Sequence, residues 1–293
     1  MRVTESSASY GALAGLQSSA ARLASLQAKL SSGKQITAPS DDPSGTVRAL
    51  QLRGDLQRNN AYTDSATDAI AWMSTADSAY SQMVTLTQSA RTLVVQGLNT
   101  GASTGSSAGA IADQIDALRT SLLSVANTTY NGRPVFGGTT SGSVAYDNGG
   151  NYMGDSGTVN RTVGPQATVQ INQNGPDVFG PAGGDLFSLL SSVSANLRSN
   201  NTTALSGQLA DLDTAIGRMS AAQASEGAAY QRVQVAQSAQ SSTKLSVTSQ
   251  LSELQDIDLA DIAVQVTTAS TNYQAALQTT ANIRQLSLLN FLS

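Results

Sequence analysis

The sequence contains neither cysteine nor histidine. Without cysteine there is no disulfide framework, no thiolate nucleophile and no thiolate metal site. Without histidine, the commonest general base and the commonest transition-metal ligand are both missing. These two absences remove the usual parts of most enzyme mechanisms. We therefore expect a non-enzymatic protein with no catalytic site, no cofactor and no bound metal.

Charged and aromatic residues are also scarce. Only 12% of the 293 residues are charged and the net charge is -4, so no basic surface would attract nucleic acid. No run of 18 apolar residues occurs, so no membrane span is expected, and the N-terminal segment makes a poor secretory signal. Aromatic residues make up 4% of the chain, so alanine and leucine must build most of the core.

The C-terminal segment, residues 255–293, has a heptad pattern. Residues spaced alternately by three and four place one narrow, mostly apolar stripe on a single helix face. Asp258 occupies the position of an N-cap, and the segment ends in an apolar tail that a lone helix could not shield from water. The pattern therefore predicts a helix that packs against a partner. The stripe consists of Leu259, Ile262, Val266, Ala269, Tyr273, Ala276, Thr280 and Ile283.

The N-terminal segment, residues 1–43, repeats this rhythm. Its stripe consists of Leu13, Leu16, Ala20, Leu23, Gln27 and Leu30. A single stripe would favour an ordinary amphipathic core helix, whereas two stripes at opposite ends of one chain favour a terminal coiled coil. The two could pair within one chain, but the narrow seam would bury too little area to be more than marginally stable. We therefore expect the termini to fold and pack when copies polymerise.

The intervening residues predict long helices with a β-rich insert. Residues 44–130 form the first helical half, in which one helix runs from about 44 to 98 and a second returns after a turn at 99–109. Residues 131–184 are rich in glycine, asparagine and proline and contain short alternating runs, which predict strands and tight turns. Residues 185–254 form the second helical half, whose apolar stripe is interrupted by Gln223 and Glu226. The fold class is thus mainly α, a rod of long antiparallel helical hairpins with a small β domain in mid-sequence.

Three stretches of the sequence carry a family resemblance. Leu30-Ser31-Ser32-Gly33-Lys34 with Pro39-Ser40-Asp41-Asp42-Pro43 resembles the N-terminal signature of the flagellin superfamily. Residues 127–138, ending in Phe136-Gly137-Gly138, resemble the entry to the β domain of hook-associated junction proteins. The C-terminal segment from 256 to 292 resembles the corresponding end of these proteins.

This resemblance implies a structural adaptor of the bacterial flagellum. Proteins of this kind form a ring that joins the hook to the filament outside the cell, and they are exported unfolded through the flagellar type III apparatus. The implied partners are further copies of the chain, the adjacent hook-associated junction protein, flagellin and an export chaperone, with neither nucleic acid nor membrane among them. The candidate assembly residues are Leu13, Leu16, Leu23, Leu30, Ile262, Val266, Tyr273 and Ile283.

Two other functions remain open. A flagellin filament subunit is the near alternative, although Lys34 and the prolines of the N-terminal signature depart from the usual flagellin pattern. A secreted adhesin or surface-recognition protein is the alternative of another class, because the β insert could bind outside partners.

Overall fold

The computed structural model describes the backbone of residues 2–99 and 105–292, and the side chains of residues 10–99 and 107–282. Over this part of the chain the elements follow in the order α1 (Arg2–Ser32), α2 (Pro43–Asn99), α3 (Gly105–Ala126), β1 (Thr129–Tyr130), β2 (Arg133–Pro134), β3 (Asn160–Gly164), β4 (Ala167–Gln170), α4 (Gly175–Phe179), α5 (Leu186–Arg198), α6 (Thr202–Gln255) and α7 (Leu259–Leu292). The fold is mainly helical with a small β insert, as the sequence predicts.

The chain divides into two compact units. Unit 1 consists of residues up to Arg58 together with those from Thr243 onwards, and unit 2 runs from Asn59 to Ser242. These units cut across the segments predicted from the sequence. Helix α2 gives its first turns to unit 1 and the remainder to unit 2, whereas α6 gives its last turns to unit 1.

Local signals set most helix boundaries where the sequence predicts them, although α3 begins at Gly105, inside the predicted turn at 99–109. Helix α2 has 57 residues, which corresponds to about 85 Å at about 1.5 Å per residue. Its start is capped by Asp42, whose Oδ1 accepts the Gly45 N–H at 2.9 Å. Gly33 ends α1 with a φ of 67°, a left-handed conformation that glycine adopts without strain. The predicted break at 255–258 is confirmed, and Asp258 caps α7 by accepting the Ala260 N–H at 2.9 Å.

Within unit 2, α2 and α6 run antiparallel. The Arg91 guanidinium donates to Asp213 at 2.6 Å, and the Gln237 amide donates to Thr67 at 3.2 Å. A residue later in α2 thus pairs with a residue earlier in α6, as antiparallel helices require. Helix α5 packs on α3, where the Arg198 guanidinium bridges two α3 carboxylates. Alanine and medium-sized apolar residues fill the spaces between these helices.

The β insert is held mainly by aromatic packing. Strands β1 and β2 pair across an Asn131-Gly132 turn in which both residues have positive φ, and β3 pairs antiparallel with β4. These strands have two to five residues, so they bury little by themselves. Ring centroids 4.9–5.7 Å apart connect the insert to the helices through Trp72, Tyr80, Tyr130, Phe136, Tyr146, Tyr152, Phe179 and Phe187.

The sequence predicts only strands and tight turns in the insert, and the structure adds a helix. The chain also forms the short helix α4, because Pro176 in its first turn has a φ that is already set for a helix. Gly138 and Gly183 both have positive φ and lie in turns of the kind that this glycine-rich stretch predicts.

Asp185 gives a test of how unit 2 depends on local capping. Its Oδ1 accepts the backbone N–H groups of Phe187 and Ser188, both at 2.9 Å, and its side chain is buried. We expect Asp185→Ala to lower the free energy of unfolding of unit 2 by about 1–2 kcal/mol, since these donors would lose their acceptor. Urea unfolding followed by fluorescence of Trp72, the single tryptophan, measures this loss. The exposed Asp211→Ala serves as the control and should change little.

Candidate assembly interface

The two ends of the chain meet in unit 1, where α1 packs against α7. The centre of this contact is a small cluster of Leu26 from α1 with Ile262 and Ala269 from α7. Leu23, Ile257 and Val266 pack around it and are only partly buried. The contact is therefore a narrow two-helix seam and not a deep core.

The predicted stripe of α7 is confirmed over the described side chains. Its members from Ile262 to Thr280 are all buried or half-buried, whereas residues between them are mostly exposed. Leu259, the first residue of the helix, is an exception with 62% of its surface exposed. Seam residues on α7 could thus be found from the heptad pattern alone.

The predicted stripe of α1 was partly wrong as a description of this seam. Leu16 and Leu23 are half-buried, but Leu13 and Leu30 are 47% and 37% exposed. Leu26, which the predicted stripe omitted, is the most buried side chain described on α1. The predicted stripe has Gln27 where the observed seam has Leu26, the adjacent residue. The 3.6-residue period of the helix does not decide between two stripes that are shifted by one residue.

The structure thus separates the eight predicted assembly residues into four groups. Leu23, Ile262 and Val266 come together in the α1–α7 seam. Leu16 and Tyr273 are half-buried, while Leu13 and Leu30 face solvent. The side chain of Ile283 lies outside the described residues. Their role in contacts between copies stays a prediction.

The two connections of unit 1, α1 to α2 and α6 to α7, are fastened to each other. Lys34 and Asp256 form an antiparallel bridge, and the Lys34 ammonium donates to the Asp256 carboxylate at 2.5 Å. The Gln35 N–H donates to the Gln255 carbonyl at 2.6 Å, and the Ile257 N–H donates to the Gly33 carbonyl at 3.2 Å. These contacts fix where α7 starts relative to the end of α1.

Hydrogen bonds lower the pKa of two carboxyl groups in these connections. The Lys34 ammonium, followed by the Ser252 hydroxyl, lowers the pKa of Asp256. In the loop before α2, the Thr37 hydroxyl and two backbone N–H groups lower the pKa of Asp41. Both carboxylates are therefore charged at neutral pH and serve to order the connecting segments.

Unit 1 leaves more large apolar side chains exposed than it buries. Among the described side chains, its buried hydrophobic residues are Leu26, Ala49, Leu52, Val247, Ile262 and Ala269. Its exposed large hydrophobic residues are Tyr10, Leu13, Leu30, Val47, Leu50, Leu245, Leu259, Val264 and Leu277. We call these nine residues the exposed apolar set. Over the same described part of the chain, the larger unit 2 exposes three such residues, so the apolar exposure is concentrated where the chain ends meet.

Most of the exposed apolar set was missed by sequence reasoning. Val47 and Leu50 lie in the first turns of α2, and they alternate with the buried Ala49 and Leu52. Apolar residues there occur on two faces of the helix, and one face is buried within the chain. The sequence pattern therefore indicated that the second apolar face could contact another molecule. Val264 and Leu277 lie outside the predicted stripe of α7 in the same way.

Two other features are not found among the described residues. They contain no group of three or more aspartate or glutamate side chains placed to hold a metal ion. None of the described helices is long and apolar enough to span a bilayer.

Comparisons with known proteins identify relatives of both ends of the chain. The model of the bacterial flagellin N-terminal helical region matches residues 3–141, and that of the bacterial flagellin C-terminal helical region matches residues 209–292. The chain is 30% identical over 169 residues to flagellar hook-associated protein 3 of Salmonella typhimurium, covering 57% of this chain and 53% of the relative. It thus spans about half the length of this curated relative. It is also 27% identical to flagellin of Bacillus subtilis over 255 residues, 80% of each chain.

A solved structure has the same fold. The structure of a flagellar hook-associated protein from Vibrio parahaemolyticus superposes with a TM-score of 0.68 at 20% identity, covering 74% of this chain and all of that chain. At this identity the likeness concerns the fold alone.

A pair of leucine variants tests whether Leu26 forms the α1–α7 seam. We expect Leu26→Ala to weaken the pairing by about 2 kcal/mol, because it leaves a cavity opposite Ile262 and Ala269. Hydrogen exchange of α1 and α7 amides should accelerate, while the unfolding of unit 2 reported by Trp72 stays unchanged. Leu13→Ala removes the same atoms from an exposed position and should leave exchange within the seam unaltered. Equal acceleration in both variants would contradict the assignment.

Proposed function

The chain belongs to the bacterial flagellin family, and on this basis we propose that it is a structural adaptor of the flagellum at the junction between hook and filament. The observation that carries this proposal is the concentration of exposed large apolar side chains in unit 1, the unit built from both chain ends. The similarity to a protein named hook-associated protein 3 supports the junction position over other places in the flagellum.

The exposed apolar set supports assembly of several copies into a ring. Burying one such side chain fully contributes up to about 1.5–3 kcal/mol, so a contact that covers a few of them can outweigh the cost of ordering two helices. The intrachain seam leaves Leu13 and Leu30 uncovered, so they are free to contact a neighbouring copy. Leu23, Ile262 and Val266 act within the chain, where they hold α1 and α7 in position for these contacts.

The same proposal defines the partners and the location. A junction ring contacts the adjacent hook-associated protein on one side and flagellin on the other, and it lies outside the cell. Export through the flagellar type III apparatus requires an unfolded chain, with a chaperone covering the apolar ends beforehand. The absence of cysteine supports this route, because no disulfide can block threading of the chain. The role is mechanical and needs no catalysis.

A filament subunit is the second candidate. The similarity to flagellin of Bacillus subtilis extends over 80% of this chain, which is more than the similarity to hook-associated protein 3 covers. Both functions use the same terminal helices, so the position of the protein along the flagellum distinguishes them. An adhesin would be distinguished by the same observation.

Immunogold electron microscopy of flagella from the source bacterium locates the protein directly. An antibody raised against the β insert, residues 131–184, should label one narrow band where the hook ends. Label along the whole filament would establish the filament subunit instead, and label only on the cell surface would favour an adhesin. In a deletion strain we expect hooks without filaments and flagellin released into the medium.

A pair of charge substitutions tests the exposed apolar set, with each variant expressed in the deletion strain. Leu13→Asp should lower incorporation about 10- to 100-fold, because an interface that loses a buried leucine forfeits about 1.5–3 kcal/mol. The count of filaments per cell and swimming in soft agar measure the effect. Val144→Asp in unit 2 is the matched control, since Val144 and Leu13 are 42% and 47% exposed. Normal filaments with Leu13→Asp would show that this face of α1 is not an interface.

A further inference from the structure

A carboxyl group lies buried in the seam between α2 and α6. Glu226 is 5% exposed, and neither of its side-chain oxygens has a hydrogen-bond partner. It occupies the apolar face of α6 one turn after Gln223, whose amide donates to Asp77 of α2 at 2.8 Å. A charged carboxylate without donors in such a place costs several kcal/mol. A neutral carboxylic acid costs far less.

The groups around Glu226 offer no compensating positive charge. The Tyr80 hydroxyl of α2 lies close to Glu226, and its oxygen is likewise buried with no hydrogen-bond partner. The charged neighbours that act on this pair are Asp77 of α2 and Asp177 of α4, both of which are acidic. Burial raises the pKa of Glu226 to about 8; the neighbouring Tyr80 hydroxyl opposes this shift, and the like charge of Asp77 adds to it to a lesser extent.

A cavity adjoins the buried carboxyl group. It has a volume of about 300 Å³ and is lined by residues of both helices, Met73, Ser74, Asp77, Glu226, Gly227, Tyr230 and Gln231. The Glu226 oxygens themselves are shielded from solvent, so a proton reaches them more readily than a hydrated metal ion does. An ionised side chain that turned into the cavity would meet Asp77, a like charge. Ionisation therefore destabilises the packing of the two helices at this point.

We propose that Glu226 is a proton-operated latch of the α2–α6 seam, closed while its carboxyl group is protonated and released when that group ionises. Release opens unit 2 beside Trp72 and Met73, the buried residues that precede the cavity-lining Ser74 on α2. This inference is independent of the proposed function, because it concerns the stability of unit 2 alone.

The pH window of the latch follows from the two states of the chain. An unfolded chain ionises Glu226 near 4.5, while the folded chain keeps the proton up to about 8. The folded state thus binds one more proton between these values, so the folding constant falls up to about tenfold per pH unit as pH rises. Above about 8 both states are ionised and the loss is complete. The pKa values of Asp41, Asp42, Asp147, Asp155 and Asp256 are lowered, so these groups act in the acid range and not in this window.

Few other groups of this chain titrate in the same pH range. The chain has no histidine and no cysteine, so between pH 6 and 9 the only other group that ordinarily titrates is the terminal amine. It also has just three glutamates, Glu5, Glu226 and Glu253. Glu253 lies exposed on the same helix as Glu226 and provides the matched control.

Two measurements on the full-length chain test the latch. In protein labelled with ¹³C at the glutamate carboxyl group, one of three resonances should titrate with a midpoint near 8 and be absent from Glu226→Gln. Urea unfolding followed by Trp72 fluorescence should show the wild type and Glu253→Gln losing stability from pH 6 to 8, while Glu226→Gln stays level. If all three resonances titrate below about pH 5, the inference is wrong. It is equally wrong if Glu226→Gln and the wild type lose stability in parallel.

Discussion

The pairing of α1 with α7 is the constraint on which the rest of this structure depends. It joins the first and last segments of the chain within unit 1. Within unit 2, helices α2 and α6 run antiparallel, with polar pairs such as Arg91–Asp213 setting their register. The contacts of Lys34 with Asp256 then fix where the two end segments meet. The seam itself buries few side chains, so the pairing of α1 with α7 is only weakly stabilised.

This constraint divides the apolar residues unequally between the units. The large aromatic residues and the long helical core lie in unit 2, which can bury its own apolar surface. Unit 1 retains the exposed apolar set because the α1–α7 pair and the adjoining turns of α2 and α6 have too little surface to cover it. In the proposed junction role, neighbouring copies would cover the apolar residues that unit 1 leaves exposed. This division of labour is what the proposed junction role requires.

Unit 2 has polar groups within its seam as well as on its surface. The Asn59 amide donates to Gln240 from a buried position, and Gln223 reaches Asp77 across the helices. Such groups contribute little net stability, but a shift in helix register would leave them unpaired. Glu226 differs from them because neither of its buried side-chain oxygens has a hydrogen-bond partner.

The sequence by itself determined the long helices, most of their ends and the stripe of α7. Caps such as Asp42, Asp185 and Asp258, the terminal Gly33 and the three-and-four spacing after Ile262 all act through residues within a turn or two, so they are legible in one stretch of chain. Only the tertiary structure decided that Leu26 and not Leu13 faces α7, that α4 forms in the insert and that Glu226 is buried. These features depend on which helix faces which, and at what register. That outcome is set by side chains far apart in sequence acting together, and no local pattern records it.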